Sequence, residues 1–173
     1  MATHTVLNQS TPRVDIDELA SNPALVEGLT TYDAGWAIDD LHTVGELVGS
    51  ATFAADAAQA NTATPALATH DRYGHRIDEV TYDESYHRVI GAAVSAGAHT
   101  SGWAQPRPGA NVARAATFML FAQVEPGHAC PVSMTHSAVP VVAQHPDLAA
   151  RWLPRLYSTD YDPTLSAAKG SAL

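Results

Sequence analysis

The sequence of 173 residues contains a single cysteine, Cys130, and this excludes a disulfide bond within the chain. A lone cysteine is typical of proteins in a reducing compartment, and we predict that Cys130 is a buried, unreactive thiol. Basic residues are also scarce: Lys and Arg total 9 against 18 Asp and Glu, which gives a net charge of −9. A surface this acidic is expected to repel nucleic acids and anionic membranes.

Long apolar runs and signal-peptide features are absent as well. No apolar run approaches the roughly 20 residues that a membrane-spanning helix needs, and residues 1–10 lack the basic and apolar regions of a secretory signal. The sequence therefore predicts a cytoplasmic protein with no membrane partner.

The common motifs of metal, nucleotide and nucleophile sites are missing too. There is no H-E-x-x-H, no Cys/His cluster with zinc spacing, no glycine-rich phosphate motif and no nucleophile elbow around Ser133. The nine histidines are spaced without a ligand pattern, and we expect Asp71, Arg72, His75 and Arg76 to pair locally at a turn. We predict no metal site, and neither catalytic nor cofactor-binding residues, in this chain.

Residues 111–142 are the most apolar part of the chain. Positions 112, 115, 116, 119 and 120 follow a helical period, which predicts a buried helix that begins with Asn111 as N-cap and ends before Pro126. A second buried helix is predicted from Pro131 to Val142, kinked at Pro140, with an inner face of Met134, Ala138, Val141 and Val142. Residues 127–130 (GHAC) interrupt this core, either to line a pocket or as a plain helix–turn–helix.

The rest of the chain predicts further short helices. One is expected to begin at Pro23 with Asn22 or Ser21 as N-cap, and the next to be capped by Thr30 or Thr31 and to bury positions 34, 38, 41, 45 and 48. An alanine-rich helix is predicted at 52–61, another after Asp83 as N-cap, and a last one at 148–157. Residues 70–82 read as irregular, with a turn at 71–74 and a short extended piece at 75–80. About seven helices and at most a trace of strand predict an all-α orthogonal bundle.

Several segments resemble the AidB branch of the acyl-CoA dehydrogenase superfamily. They are THTVLNQ at 3–9, YDAGW at 32–36, DRYGHRIDEV at 71–80, ARAATFML at 113–120, AQVE at 122–125, CPVSMT at 130–135 and YSTDYD at 157–162. The resemblance covers essentially the whole chain. It implies an N-terminal extension at 1–20, a helical domain at 21–157 like the acyl-CoA dehydrogenase N-terminal domain, and a linker at 158–173 toward a β-domain.

The resemblance also implies a function for a longer parent. That parent would be an FAD-dependent, acyl-CoA dehydrogenase-like oxidoreductase that acts on an acyl thioester and assembles as a homotetramer. The family's flavin motif and glutamate base lie beyond the segments present here, so the chain is expected to be an N-terminal fragment. By the resemblance, residues that would shape the acyl pocket without doing chemistry are Gln123, Glu125, Ser133, Met134 and Thr135.

Two other functions remain open. The parent could be a DNA-protecting flavoprotein of the alkylation response, with DNA contacted only by a C-terminal part outside this chain. Alternatively, the chain could be a free-standing helical interaction module without flavin, although the loss of a covering domain would then expose apolar surface and promote association.

Overall fold

The computed structural model describes residues 3–165. Within them lie eight α-helices, which we number α1 to α8, one short 3₁₀ helix at Gly35–Ala37 and two strands. In chain order the α-helices and strands are α1 (Pro23–Thr31), α2 (Ile38–Val48), α3 (Ala51–Thr62), β1 (Ala66–His70), β2 (Arg76–Thr81), α4 (Glu84–Ser95), α5 (Ser101–Ala104), α6 (Ala110–Ala122), α7 (Ala129–Val142) and α8 (Pro146–Leu156).

Helix α6 occupies the centre of the bundle and contacts α1, α2, α4 and α5. Its buried residues, Ala113, Ala116, Leu120 and Phe121 among them, join one core with side chains from α1 to α4 and α7. The larger members of that core are Leu19, Leu29, Leu41, Val48, Phe53, Val89, Leu120, Phe121 and Val132. The helix-rich class predicted from the sequence is thus confirmed.

A β-hairpin corrects the all-α prediction. Strands β1 and β2 pair antiparallel, with Leu67 opposite Val80 and Ala68 opposite Glu79. The turn is closed by the Asp71 carboxylate, which accepts hydrogen bonds from the Tyr73 and His75 amides and from the His75 ring at 3.0 Å. Almost every hairpin residue is exposed. Neither strand therefore carries the alternating apolar pattern by which a half-buried strand is recognised.

Two helix starts also differ from the predictions. Thr30 and Thr31 belong to α1, and the next α-helix begins at Ile38 after the 3₁₀ turn. Asn111 lies inside α6, whose N-cap position is held by Gly109 with a φ of 73°. The predicted caps of α1 and α4 are confirmed, since the Asn22 side chain accepts from the Leu25 amide and Asp83 from the Ser85 amide.

We predict that Asn22→Ala lowers the free energy of unfolding by about 1 kcal/mol, because the Leu25 amide loses its side-chain acceptor at 3.2 Å. Urea denaturation followed by circular dichroism measures the change. Asn22→Asp, which keeps a capping oxygen, should stay within about 0.5 kcal/mol of the original chain. Equal losses in the two variants would contradict the capping role.

The buried face of α7 is not the one predicted. Met134 is 67% exposed and Val141 62% exposed, whereas Val132, Thr135 and Val139 face the core. In α6, Met119 is likewise 51% exposed. Both helices are apolar nearly all round, and an apolar pattern of that kind does not reveal which side faces the core. Helix α7 remains a single helix through Pro140.

Two further predictions have definite outcomes. Cys130 is exposed near the start of α7, so its prediction as a buried thiol is wrong. The local pairing at the hairpin turn holds for Asp71 and His75, while Arg76 instead pairs with Asp78. The predicted linker at 158–173 runs beyond the described residues after position 165.

Candidate functional site

The break between α6 and α7 is closed by a buried carboxylate. Glu125 is 3% exposed and accepts hydrogen bonds from the amides of Gly127 and His128, each at 2.8 Å. Its Oε2 also lies 3.1 Å from Nδ1 of His128, a side chain with no exposed surface. The His128 ring packs edge-on against Phe121. Glu125 and His128 therefore hold the turn of a helix–turn–helix in place.

The other predicted pocket residues occupy different environments. Thr135 is buried and its hydroxyl donates to the Pro131 carbonyl at 3.0 Å. Ser133 is half-buried, whereas Gln123 and Met134 are exposed. The five residues thus share the α6–α7 unit, but none of them lines either of the two cavities described next.

The first cavity, which we call the arginine cavity, has a volume of about 360 Å³ and lies between α2, the α4–α5 turn and α6. Two arginine residues line it, Arg107 and Arg114. Arg107 stacks over the Trp36 ring, with its guanidinium carbon 3.1 Å from the ring centre. The Trp36 indole N–H donates to the Pro108 carbonyl. The remaining lining residues that matter here are Asp40, Leu41, Val44, Ser95, Ser101 and Thr117.

Arg114 reaches from this cavity toward a cluster of buried polar groups. Its Nε donates to the Ala98 carbonyl at 2.6 Å. Beyond it, Nε2 of the fully buried His99 bonds to the Ser158 carbonyl at 2.9 Å, and the Trp103 indole donates to Nδ1 of His136 at 3.1 Å. That Nδ1 also lies 3.0 Å from the His99 carbonyl, but a nitrogen that accepts from Trp103 carries no proton to donate there.

Burial lowers the pKa of both His99 and His136, and the nearby Arg114 charge lowers each further. Both imidazoles are thus neutral in the folded protein at pH values where they would already be charged in the unfolded chain. The unfolded state then binds more protons, so stability falls as pH drops below about 6.5.

We predict that the free energy of unfolding is lower at pH 5.5 than at pH 7.5, and that His99→Gln reduces this difference. Urea denaturation at the two pH values measures it. The four carboxylates with a lowered pKa, Asp17, Asp56, Asp71 and Asp83, do not account for it, because their contribution is lost only below their ordinary value of 3.8. An unchanged difference in the variant would contradict the assignment to His99.

The second cavity is an aromatic cleft of about 420 Å³ beside the start of α7. The Tyr82 and Tyr86 rings stack with centroids 4.7 Å apart, and Nδ1 of His87 lies 2.7 Å from the Tyr161 hydroxyl. Burial raises the pKa of Tyr161 to about 12, so this phenol remains protonated. Pro131 of α7 completes the wall, which places the cleft next to the proposed acyl-pocket region.

Neither cavity was predicted from the sequence. Arg114 was the available signal, because it is a charged side chain within a helix that is otherwise almost entirely apolar. The aromatic cleft joins residues about 80 positions apart, and no local spacing reveals such a pairing.

Metal and membrane sites have no support among residues 3–165. The part of the chain that the structure describes holds no group of three or more His, Cys, Asp or Glu side chains arranged for a metal ion. None of its helices has the length and apolarity required to cross a bilayer.

Comparison with known proteins gives a consistent family and fold. The family described as the adaptive response protein AidB N-terminal domain matches residues 8–163. AidB of Escherichia coli (strain K12), whose name describes it as a candidate acyl-CoA dehydrogenase, is 38% identical over 165 residues, which are 94% of this chain and 30% of that protein.

Two solved structures share the fold. The apo form of Bd2924 superposes with a TM-score of 0.80 at 24% identity, over 90% of this chain and 32% of that one. Caenorhabditis elegans ACDH-11, solved in complex with C11-CoA, gives 0.72 at 20% identity, over 92% and 29%. The chain spans about a third of the length of each of these relatives. The match over 8–163 and the shared helical architecture show that this chain belongs to the AidB N-terminal domain family.

Proposed function

We propose that this chain is the N-terminal helical domain of an FAD-dependent, acyl-CoA dehydrogenase-like oxidoreductase, assembled as a homotetramer. The observation that carries the proposal is the family match over residues 8–163, and the 38% identity to E. coli AidB supports it. The sequence contains no glycine-rich phosphate motif, and by the resemblance the family's glutamate base lies outside this chain. The flavin and the base would therefore be supplied by other parts of the parent.

The role of this domain is to form one wall of the acyl pocket. The flavin would accept the hydride removed from an acyl thioester, and the wall would exclude water and orient the acyl chain. Met134 and Gln123 are exposed on the α6–α7 unit and are available for such contacts. The buried Glu125 and Thr135 would support the wall from behind, with the half-buried Ser133 between them.

The test is a fused protein in which this chain replaces the matching N-terminal 30% of E. coli AidB. We expect the purified protein to carry the visible absorbance of bound flavin and to reduce it on addition of an acyl-CoA. Unmodified E. coli AidB, purified in parallel, is the matched control. A folded but colourless fused protein that rejects added FAD, beside a yellow control, would contradict the proposal.

The pocket residues are tested in the same fused protein. Met134→Trp should shift the preference among acyl-CoA substrates toward shorter chains, because the larger ring fills the space beside the wall. Met119→Trp, at an exposed position of α6, is the control. Equal activity profiles in both variants would remove Met134 from the pocket.

A second candidate is a DNA-protecting flavoprotein, and the family description as an adaptive response protein favours it. The net charge of −9 makes this domain unsuited to a direct DNA contact, so the contact would come from the C-terminal part. A mobility-shift assay at low salt, with the fused protein and with this chain alone, distinguishes the two parts. Absence of a shift for the fused protein would count against DNA protection.

A further inference from the structure

Arg114 is a positive charge that forms no ion pair with any residue from 3 to 165. The arginines that do form ion pairs are more exposed: the side chains of Arg13, Arg76 and Arg88 are 56–75% exposed and each lies against a carboxylate. Arg114 is more deeply placed, yet among residues 3–165 no carboxylate pairs with it, and its buried Nη2 has no hydrogen-bond partner. A partly buried guanidinium is costly unless an anion or several acceptors satisfy it.

The surroundings of Arg114 supply little compensation. Its Nε donates to one backbone carbonyl, that of Ala98, and its guanidinium lies 4.9 Å from the Phe118 ring centre. The Arg114 charge also acts on His99 and His136, which burial keeps neutral and which therefore add no negative charge. Arg114 is also a lining residue of a cavity whose lining includes a second arginine, Arg107.

The shape of the arginine cavity suits a small amphipathic anion. Its volume of about 360 Å³ is at the lower end for ligand sites. The rim is fixed in advance by the Trp36 indole bonded to Pro108 and by Arg107 stacked on Trp36. The lining combines the apolar residues Leu41, Val44 and Ala113 with the hydroxyl-bearing residues Ser95, Ser101 and Thr117.

We propose that the arginine cavity binds a small organic carboxylate, whose carboxylate group lies against Arg114 and Arg107 and whose short apolar body lies on Leu41, Val44 and Trp36. Planar guanidinium groups match the two oxygens of a carboxylate. Asp40, the acidic lining residue, lies on the exposed side of the cavity and weakens the anion's binding without preventing it. This site needs no flavin and is independent of the proposed dehydrogenase function.

The experiment titrates this chain with hexanoate and follows the indole N–H signals of its three tryptophans by ¹⁵N NMR. We expect the Trp36 signal to shift, since Trp36 lines the cavity, while that of Trp152 on α8 stays in place. Hexanamide has the same shape without the charge and should bind at least about tenfold more weakly. Equal binding of hexanamide, or no shift of Trp36, would overturn the proposal.

Substitutions of the charged lining residues test which of them binds the carboxylate. Arg114→Gln keeps a donor for the Ala98 carbonyl and should weaken hexanoate binding at least about tenfold, and Arg107→Gln about threefold. Asp40→Asn should strengthen it, because a like charge is removed. Arg151→Gln, outside the cavity, is the control and should bind as the original chain does. Unchanged affinity in both Arg107→Gln, at an exposed position, and Arg114→Gln would refute the site.

A carboxylate from elsewhere in a longer parent is the rival occupant of the cavity. The fused protein with E. coli AidB decides between the two. Hexanoate binding that is retained in the fused protein supports a small-molecule site. If hexanoate binds this chain but not the fused protein, a protein carboxylate fills the cavity and the proposal is overturned.

Discussion

Replacing Glu125 with alanine is expected to lower the free energy of unfolding by about 3–4 kcal/mol. The two amide donors of Gly127 and His128 and the ring of His128 all lose the same carboxylate, and His128 has no exposed surface where water could substitute. A loss of this size is a large fraction of the stability of an ordinary domain. Urea denaturation followed by circular dichroism at neutral pH measures it.

Two further variants control the experiment. Glu46→Ala removes an exposed carboxylate from α2 and should change the free energy of unfolding by less than about 0.5 kcal/mol. Glu125→Gln keeps one carbonyl oxygen and should lose about half as much as Glu125→Ala. If Glu125→Ala costs less than 1 kcal/mol, the carboxylate does not hold the α6–α7 turn.

The second large effect is expected at Gly109. This residue has a φ of 73°, where an L side chain is strained, and a Cβ there would collide with the Asp33 carbonyl. Because of this strain and this collision, Gly109→Ala should lower the free energy of unfolding by about 3 kcal/mol. Because Gly109 follows the Pro108 carbonyl that fixes Trp36, the variant should also weaken hexanoate binding in the arginine cavity.

Gly28 provides a control of opposite sign. It lies inside α1, and a Cβ at that position meets nothing within 4 Å. Gly28→Ala should therefore raise the free energy of unfolding by about 0.5–1 kcal/mol, since alanine loses less conformational entropy in a helix. Similar losses in both variants would show that the backbone at Gly109 is not specially constrained.

The sequence predicted helices best where a local signal marked their ends. Asn22 before Pro23 and Asp83 before α4 could be identified as N-caps, because a short polar side chain is preferred at the N-cap position of a helix. The start of α6 was misplaced at Asn111, since the real N-cap, Gly109, is determined by its close approach to the distant Asp33 backbone. A contact between residues this far apart in the chain cannot be inferred from the local sequence pattern.

The site was harder to predict than the fold. The break at 127–130 was recognised from glycine within an apolar stretch, and none of its four residues lines either cavity. It is a helix–turn–helix, and the side chain that closes it, Glu125, had been singled out for a different role. The faces of α6 and α7 were ambiguous because Met119, Met134 and Val141 are as apolar as the core residues beside them. Which apolar residues lie inside depends on neighbouring helices.

The exposed position of Cys130 makes the protein well suited to spectroscopic labelling. Because the sequence contains no other thiol, a maleimide dye or spin label attaches at one known place. That place is two residues after the buried His128 and next to Pro131 of the aromatic cleft. A single label would thus report on opening of the α6–α7 turn and on anything that enters the cleft, without any cysteine having to be introduced or removed.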